Sequence, residues 1–225
     1  MIEFQDLGFG YTARERVLER VSLVLPDGSF HVLTGASGAG KTTVLKLCHL
    51  ALRPSQGDLR VFGQSVQGLS RDAVTATRRR IGIVHQDCQF LDHLSVRQNI
   101  ALPRYLRGET PDHFAEDLSD LIAWVGLEKR KDAMPPELSS GERQRAALAR
   151  AVIASPELIL ADEPTGNVDP RMGQHLLSLI LELNRLGKTV LVATHDLALI
   201  RAARDAVPVR LLRVSSGAIA VGATL

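Results

Sequence analysis

The sequence predicts an α/β fold with a mainly parallel β-sheet at its core. Short runs of β-branched and aliphatic residues are apolar almost throughout, and they occupy residues 30–33, 81–84, 158–161 and 189–193. Continuous apolar character is typical of strands that are covered on both faces of a parallel sheet. Helical patterns alternate with these runs, at residues 41–52, 141–154 and 171–186. This succession of strands and helices indicates an α/β core.

The middle of the chain interrupts this order, because residues 90–138 contain no buried-strand run. Ser95 is suited to cap a helix over residues 96–102. A second helix is predicted to begin at Thr110 and Pro111, since proline is favoured at the first helical position. This helix would place five apolar residues on one stripe, namely Phe114, Leu118, Leu121, Ile122 and Val125. These patterns predict a helical subdomain inserted into the α/β core.

Both ends of the chain have the pattern of antiparallel strands. These strands are predicted within residues 2–25 and within residues 207–221, where Ser215, Ser216 and Gly217 form a turn.

A chain of 225 residues with 45% hydrophobic content can bury one large core. We therefore predict a single domain over residues 1–225. Residues 1–89 and 139–225 would form the α/β core with an N-terminal antiparallel β subdomain, and residues 90–138 the helical subdomain.

The composition excludes several classes of protein. A net charge of +2 is too small for a nucleic-acid-binding face, so Arg78, Arg79 and Arg80 are predicted to form a solvated patch. Cys48 and Cys88 lack the spacing of a disulfide framework or a metal site, which favours reduced packing residues in a cytosolic protein. The start of the chain lacks a signal-peptide pattern, and no apolar run is long enough to span a bilayer. A role at a membrane would therefore need a partner protein.

A glycine-rich segment from Gly35 to Thr42 carries the strongest chemical signal. Its sequence, Gly-Ala-Ser-Gly-Ala-Gly-Lys-Thr, fits the pattern G-x-x-x-x-G-K-[ST] between a predicted strand and a predicted helix. The glycines let consecutive N–H groups point at phosphate, and the helix N-terminus adds partial positive charge. Lys41 would reach the β and γ phosphates of a nucleotide, and Thr42 would bind Mg²⁺ through its hydroxyl. A flexible strand-to-helix turn is the weaker alternative.

Two carboxylates, Asp162 and Glu163, end the predicted strand at residues 158–161. The carboxyl end of such a strand is the edge where α/β folds bind ligands. Asp162 is suited to the Mg²⁺ shell, and Glu163 is placed to polarise a water that attacks the γ phosphate. An apolar run ending in Asp-Glu is often structural, but its place after a phosphate loop favours the catalytic interpretation.

A third segment, from Leu138 to Arg145, reads Leu-Ser-Ser-Gly-Glu-Arg-Gln-Arg and opens a predicted helix with Ser139 as its cap. A simple helix cap is the alternative, because Ser-x-x-Glu starts many helices. Together with the nucleotide elements, the segment resembles the Leu-Ser-Gly-Gly-Gln/Glu signature of the ABC (ATP-binding cassette) ATPases. The resemblance covers essentially the whole chain and implies a P-loop NTPase fold of the ABC type.

The remaining elements of that family occur in their proper order. Tyr11 stands where the family stacks an aromatic ring on adenine, although a strand-edge aromatic is the alternative. Gln86 matches the glutamine that contacts Mg²⁺ and the attacking water, and residues 166–169 match the loop that crosses the dimer interface. His195 matches the histidine that contacts the γ phosphate, although an isolated histidine is more often structural.

The resemblance thus assigns a role to each residue of a composite site. Catalysis is assigned to Gln86, Glu163 and His195, and metal binding to Thr42, Gln86 and Asp162. Contacts with ATP are assigned to Tyr11, Gly35, Ala36, Ser37, Gly38, Ala39, Gly40, Lys41, Thr42, Thr43, Ser139, Ser140, Gly141, Glu142 and Asp169. Two residues depart from the family pattern: Val168 replaces the usual leucine conservatively, and Ser140 replaces the first signature glycine. Ser140 would be strained by about 1–2 kcal/mol if its backbone had to be left-handed.

The resemblance also implies partners and a location. It implies a head-to-tail homodimer that sandwiches two ATP molecules and docks, from the cytoplasmic side, on an integral membrane protein. Residues 161–167 and 183–196 are similar to the branch that serves cell division, with lipoprotein release or export as the alternative role. A DNA-acting ABC ATPase is disfavoured because no coiled coil or metal-spaced cysteines separate residues 35 and 138. A module that binds nucleotide without hydrolysis is disfavoured by Glu163 and His195.

Overall fold

A computed structural model describes residues 1–12, 15–166 and 168–222 of the chain. Within these residues it contains ten β-strands and seven α-helices. In chain order they are β1 (Ile2–Gly10), β2 (Arg16–Leu25), β3 (Phe30–Thr34), α1 (Lys41–Cys48), β4 (Gln56–Val61), β5 (Gln64–Ser65), α2 (Arg71–Arg78), β6 (Ile81–Val84), α3 (Val96–Tyr105), α4 (Ala115–Trp124), α5 (Ser140–Val152), β7 (Leu158–Asp162), α6 (Pro170–Arg185), β8 (Thr189–Ala193), α7 (Leu197–Ala206), β9 (Val209–Ser215) and β10 (Ala218–Val221).

The larger sheet has six strands in the order β10-β9-β3-β8-β7-β6. Every neighbouring pair is parallel except β10 and β9, which form an antiparallel hairpin. Strands β7 and β8 are buried along their whole length, as their continuous apolar sequences predict. The mainly parallel α/β core is confirmed. Because the parallel strands point the same way, their carboxyl ends meet at one edge of the sheet.

A second, four-stranded antiparallel sheet has the order β2-β1-β4-β5. The predicted antiparallel pairing near the amino terminus is confirmed by β1 and β2. The predicted hairpin at the other end is confirmed by β9 and β10, whose turn contains Ser216 and Gly217 at positive φ. The sequence did not indicate that β9 also pairs in parallel with β3. This additional pairing makes the hairpin part of the larger sheet.

The segment between β6 and α5 is helical, as predicted. Ser95 caps α3, and its side chain and that of Gln98 bond each other's backbone N–H in a capping box. The second helix was predicted to begin with Thr110 as its cap and Pro111 at the first helical position, and a 3-10 helix over residues 111–113 begins in this way. The α-helix itself does not continue from it, because α4 begins at Ala115. The stripe that starts at Phe114 is buried or half-buried, so its packing was predicted correctly. We keep the division at residues 90 and 138 as a proposal.

Two apolar clusters cover the faces of the larger sheet. Successive residues of a strand point to opposite faces, so Val190 and Val192 join one cluster while Leu191 and Ala193 join the other. The first cluster packs against α3 to α7, and the second packs against α1 and the antiparallel sheet. The sheet is therefore fixed on both sides, which holds its carboxyl edge in a defined position. Among the described residues, no helix has the length and apolar character needed to cross a membrane.

Two local predictions need correction. Helix α1 ends at Cys48 instead of residue 52, because Leu50 has a positive φ of 59° that a helix cannot continue. The arginines at positions 78 to 80 are exposed, as expected, but each also makes defined contacts. Arg80 forms an ion pair with Glu157 at 2.5 Å and lies 3.7 Å from the centre of the Phe62 ring. These arginines therefore join separate parts of the fold. Both cysteines are buried and free, as predicted.

Candidate functional site

The predicted nucleotide residues meet at the carboxyl edge of the larger sheet. The phosphate loop follows β3, Asp162 ends β7, and His195 lies just after β8. These three strands are neighbours in the sheet, and a cleft of about 430 Å³ opens at their ends. The residues that line it are Gly35, Ala36, Ser37, Gly38, Gly40, Lys41, Thr42, Thr43, Gln86, Asp162, Glu163 and His195. Twelve of the predicted site residues are thus brought together by the fold.

The phosphate loop depends on glycine for its path. A Cβ atom on Gly35 would lie 2.6 Å from the carbonyl oxygen of Val214 in β9, and Gly38 has a left-handed φ of 76°. Lys41 begins α1 and is buried, and its Nζ donates to the carbonyl oxygens of Gly35 at 3.0 Å and Ala36 at 3.2 Å. The ammonium group therefore lies inside the curl of the loop, where phosphate oxygens could replace the carbonyls as its acceptors.

Thr42 and Asp162 form an oxygen pair beside Lys41. The Thr42 hydroxyl donates to Oδ2 of Asp162 at 2.8 Å, and Asp162 is mostly buried. Burial raises the pKa of the Asp162 carboxyl, the hydrogen bond from Thr42 lowers it, and the charge of Glu163 raises it again, with a net upward shift. A hydroxyl and a carboxylate are oxygen donors of the kind that Mg²⁺ prefers. A divalent cation would also offset the mutual repulsion of the two carboxylates, so the residues fit such an ion.

Glu163 is held in one orientation by the residues that follow β8. It adopts a positive φ of 44°, which is uncommon for a residue with a side chain. Its Oε2 accepts from the Thr194 hydroxyl at 3.0 Å and the His195 N–H at 3.4 Å, and its Oε1 lies 2.7 Å from Nδ1 of His195. Nζ of Lys41 lies 4.0 Å from Oε1. The carboxylate is thus mostly buried but faces the cleft.

Gln86 follows β6, the strand next to β7, and its exposed side chain lines the cleft. The backbone around it is fixed by α5. Nε2 of Gln144 donates to the carbonyl oxygen of Gln86 at 3.2 Å. Arg150 donates to the carbonyl oxygens of Cys88 and Gln89. The loop that carries Gln86 is therefore attached to the helix that the signature segment opens.

Tyr11 lies next to the phosphate loop at the end of the antiparallel sheet. Its hydroxyl is 3.1 Å from Oγ1 of Thr43, and its ring meets the Phe9 ring edge to face with centres 5.1 Å apart. The side chain is 52% exposed, so its other face is open to a ligand. This position agrees with the proposed contact with adenine.

The signature segment lies outside the cleft of its own chain. Ser139 caps α5, with its hydroxyl accepting from the Glu142 N–H at 3.3 Å, and Glu142 bonds back to the Ser139 N–H at 2.9 Å. This hydrogen bond, with others from Ser139 and Arg130, lowers the pKa of Glu142. A Cβ atom on Gly141 would lie 2.8 Å from Cγ of Met172 in α6, so a larger residue there would require the Met172 side chain to shift.

The condition for strain at Ser140, a left-handed backbone, is not met. Ser140 is the first residue of α5 and is not among the residues with positive φ. Serine can therefore replace the signature glycine here without a left-handed backbone. Asp169 caps α6 through hydrogen bonds from the N–H groups of Arg171 at 3.0 Å and Met172 at 3.1 Å. Asn167, in the predicted interface loop, lies outside the described residues.

A sequence model of the ABC transporter family matches residues 18–166. This range includes the phosphate loop, the signature segment and both carboxylates. The chain belongs to the ABC transporter family. The predicted family is confirmed by this match.

Several proteins of known name are similar to this ABC ATPase. It is 40% identical over 202 residues to the cell division ATP-binding protein FtsE of Haemophilus influenzae. The aligned residues cover 89% of this chain and 93% of that protein. FtsE of Escherichia coli K12 is 40% identical over 200 residues, with 89% and 90% covered. The methionine import ATP-binding protein MetN of Haemophilus ducreyi is 37% identical over 213 residues, which span 93% of this chain and 62% of MetN.

Solved structures of ATP-binding cassettes share the fold of this ABC ATPase. Dimeric MJ0796, in a post-hydrolysis state bound to ADP and Pi, gives a TM-score of 0.90 at 28% identity and covers 100% of this chain and 99% of that one. Another dimeric structure of this cassette gives a TM-score of 0.87 at 29% identity, with 97% and 96% covered. The ABC-type fold and the ATPase activity predicted from the sequence are confirmed. The protein binds ATP and hydrolyses it to ADP and phosphate.

One residue that contacts the site was not predicted. Thr194 is buried between β8 and His195, donates to Glu163 and accepts from the N–H of Asp196 at 3.1 Å. Thr194 directly follows β8, which ends at the carboxyl edge of the larger sheet, and this position in the sequence could have indicated a residue of the site. In this ABC ATPase, Thr194 therefore fixes the carboxylate that faces the cleft.

Proposed function

We propose that this protein is the ATPase subunit of a bacterial cell-division complex, in which it drives an FtsX-like membrane partner that controls peptidoglycan hydrolysis. The observation that carries the proposal is the 40% identity with FtsE proteins over about nine tenths of both chains. We place the subunit on the cytoplasmic face of the cell membrane, associated with it through the partner. The proposal gives each predicted site residue a role in one cycle of ATP binding and hydrolysis.

The phosphate loop and Lys41 would hold the β and γ phosphates, with the Lys41 ammonium moving from the carbonyls of Gly35 and Ala36 to phosphate oxygens. Tyr11 would stack on the adenine. Thr42, Asp162 and Gln86 would hold Mg²⁺, which would neutralise phosphate charge. The remaining loop residues from Ala36 to Thr43 would contact phosphate through N–H groups and hydroxyls.

Glu163 would polarise the attacking water and accept its proton on Oε1. That oxygen now lies 2.7 Å from His195 Nδ1, whereas Oε2 is held by Thr194. The His195 side chain is 75% exposed, so rotation of its ring towards the γ phosphate would release Oε1 for the water. Thr194 would keep the carboxylate oriented during this change.

We propose a homodimer in which the signature of one subunit completes the cleft of the other. Among the described residues, those that line the cleft do not include Ser139, Ser140, Gly141, Glu142 or Asp169. The exposed N-terminus of α5 carries partial positive charge and suits the γ phosphate of the partner's nucleotide. The similar cassettes of solved structure are dimeric, which supports this arrangement.

The docking surface for the membrane partner is proposed to include Phe90 and Leu91, just after the Gln86 loop. Leu91 is 41% exposed although its N–H donates to Oδ1 of Asn99 at 2.9 Å, so its backbone is fixed while its side chain faces solvent. Phe90 is half-buried, with the Arg150 guanidinium 4.7 Å from its ring centre. Apolar side chains on a fixed backbone are suitable anchors for a partner helix.

The test is recovery of an FtsX-like protein with the tagged ATPase from solubilised membranes, together with ATPase activity. We expect Leu91→Asp to abolish recovery and to keep ATP hydrolysis, because a charge would be desolvated against the partner far from the phosphate loop. Leu186→Asp, at a side chain that is 75% exposed, is the matched control and should keep both. Undiminished recovery with Leu91→Asp would place the docking surface elsewhere, and loss of both properties would show that Leu91 is structural.

A second candidate is a transporter role. The 37% identity with MetN favours methionine import. The similarity of residues 161–167 and 183–196 to one branch of the family also allows lipoprotein release or export of the LolD or MacB type. The same purification discriminates among them, because each role requires a different membrane partner. Recovery of an importer subunit, with methionine uptake lost on deletion, would replace the cell-division proposal.

A further inference from the structure

The signature segment carries a negative charge at the place where the proposed dimer would bring a polyanion. Glu142 is the third residue of α5, and the N-terminus of this helix would face the γ phosphate of the partner's nucleotide. A carboxylate close to a triphosphate repels it. The family signature ends in either glutamine or glutamate, so an uncharged residue could also stand here. The acidic residue is therefore compatible with tight ATP binding only if its charge is offset.

Both oxygens of the Glu142 carboxylate accept hydrogen bonds. Oε2 accepts from the Ser139 N–H at 2.9 Å and from the Ser139 hydroxyl at 2.9 Å, and Oε1 accepts from Nε of Arg130 at 3.1 Å. The hydrogen bond from the Ser139 N–H, with those from its hydroxyl and from Arg130, lowers the pKa of Glu142 against the opposing effect of burial. The carboxylate is therefore charged at neutral pH, and its direction is fixed.

Arg130 supplies the positive charge next to this carboxylate. Among the described residues, Glu142 forms an ion pair with Arg130 alone. Arg130 ends a 3-10 helix over residues 128–130, and its N–H donates to the carbonyl oxygen of Leu127 at 2.9 Å. Its own carbonyl oxygen accepts from the Ala133 N–H at 3.1 Å. Because Leu127 is completely buried, the backbone that carries the guanidinium group is anchored in the helical segment.

The other cations at the start of α5 are directed elsewhere. Arg143 donates to a backbone carbonyl oxygen at 3.2 Å. Arg145 is mostly buried, with its Nη1 2.7 Å from Sδ of Met172. Burial lowers the pKa of Arg145 and the charge of Glu142 partly opposes this, yet the two residues form no ion pair within 4.0 Å in the part of the chain that the structure describes. Arg130 is therefore the cation placed to neutralise Glu142.

We propose that Arg130 is a positioning residue of the composite site. It neutralises Glu142 and holds the carboxylate against Ser139, so that the N-terminus of α5 can accept the γ phosphate of the partner's nucleotide. This inference rests on the homodimer of the proposed function, and it adds a residue that the sequence motifs do not include. Without Arg130, a fixed negative charge would oppose the approach of the triphosphate. Direct contact of the half-exposed guanidinium with the nucleotide is an outcome of the test.

The test is a double-mutant cycle of Arg130→Gln and Glu142→Gln in the full chain that also carries Glu163→Gln, which should trap an ATP-bound dimer. Analytical ultracentrifugation gives the ATP concentration at which half of the protein is dimeric, at two salt concentrations. Arg130→Lys is the conservative variant. Arg97→Gln, which breaks an exposed ion pair with Asp132 at 3.4 Å, is the control of equal net charge. A fluorescent ATP derivative, titrated at protein concentrations too low for dimerisation, measures the affinity of a single subunit.

We expect Arg130→Gln to raise the ATP concentration for half-dimerisation by about fivefold to tenfold. Glu142→Gln should remove most of this effect, because glutamine keeps the capping bonds without the charge. Arg130→Lys should retain most of the dimerisation, and Arg97→Gln all of it. Higher salt should reduce the loss caused by Arg130→Gln. The affinity of a single subunit for the fluorescent nucleotide should not change, because the phosphate loop lies outside the altered surface. With Glu163 intact, KM for ATP should rise while kcat changes little.

Two results would overturn the inference and leave the homodimer in place. One is an equal loss from Arg130→Gln with and without Glu142→Gln, since the guanidinium group would then act on the nucleotide directly. The other is no loss from Arg130→Gln. Rescue by Glu142→Gln would also exclude misfolding as the cause of the loss. If the Glu163→Gln parent forms no ATP-dependent dimer, the homodimer of the proposed function fails, and this inference fails with it.

Discussion

Replacement of Glu163 by glutamine separates catalysis from binding and folding. Gln retains an oxygen that can accept from Thr194 and the His195 N–H, so the local geometry should persist. The lost attraction to Lys41, 4.0 Å away, is worth about 4 kcal/mol at an effective dielectric constant of ~20. Desolvation of a buried carboxylate and repulsion from Asp162 oppose that attraction. We therefore expect stability to change little.

Turnover should fall much more, because an amide cannot accept the proton of the attacking water. Loss of a general base costs roughly 10²–10⁴ in rate, which corresponds to about 3–5 kcal/mol in the barrier. Phosphate release measures the rate, nucleotide titration measures affinity, and size-exclusion chromatography with ATP should show the variant accumulating as a dimer. Glu116→Gln, at an exposed position on α4, is the control. Wild-type turnover by Glu163→Gln would refute the assignment of Glu163 as the base.

Four further outcomes are expected. Lys41→Ala should weaken ATP binding by tenfold or more in a fluorescent-nucleotide titration, by roughly the 1.5–3 kcal/mol of a charged hydrogen bond. Lys41→Ala and Ser139→Arg should each lose ATPase activity alone, and mixing the two proteins should restore part of it, because the heterodimer has one intact site. Full activity of each variant alone would exclude a shared site. Gly82→Ala should lower the free energy of unfolding by about 1–3 kcal/mol in urea titrations, because its Cβ would lie 2.3 Å from the carbonyl oxygen of Ala151. Burial lowers the pKa of His31 from 6.5 to about 4. As the pH falls from 6.5 to 4, the unfolded state therefore binds a proton at this residue before the folded state does. The free energy of unfolding should drop by up to about 3 kcal/mol over this range. His31→Gln should flatten this part of the pH dependence, and an unchanged slope would contradict the reasoning.

Much of the fold was predictable because its central strands are apolar on both faces. The run at residues 81–84 was predicted with its observed bounds. Helix α2 gave no such signal, since Thr77 is its one buried residue, and β4 was hidden by Gly57 and Asp58 beside Leu59. Helix α7 was also missed, although Asp196 caps it. Elements that contribute few apolar side chains to the core leave a weak pattern in the sequence.

The residues of the site were predictable from motifs, but their contacts were not. Motif spacing indicated Lys41, Asp162 and Glu163 as nucleotide residues, and the fold brings them to one cleft. The spacing could not show that His195 meets Glu163, because that contact depends on the register of β7 and β8. Motif spacing also could not show whether Ser140 needs a left-handed backbone; it does not, since the helix begins there without a positive φ. Long-range pairing and local backbone angles are the properties that motif reasoning omits.

The loop of residues 85–89 lines two cavities. Gln86 lines the nucleotide cleft, while His85 and Gln89 line a separate groove of about 560 Å³ that is bounded by α2, β6 and the ends of α3 and α5. A movement of this backbone would change both cavities, so ligands bound at the two places would be energetically linked. Linkage is reciprocal: the factor by which ATP changes the affinity for a groove ligand equals the factor by which that ligand changes the affinity for ATP. Measuring either factor would therefore give the coupling free energy between the two cavities.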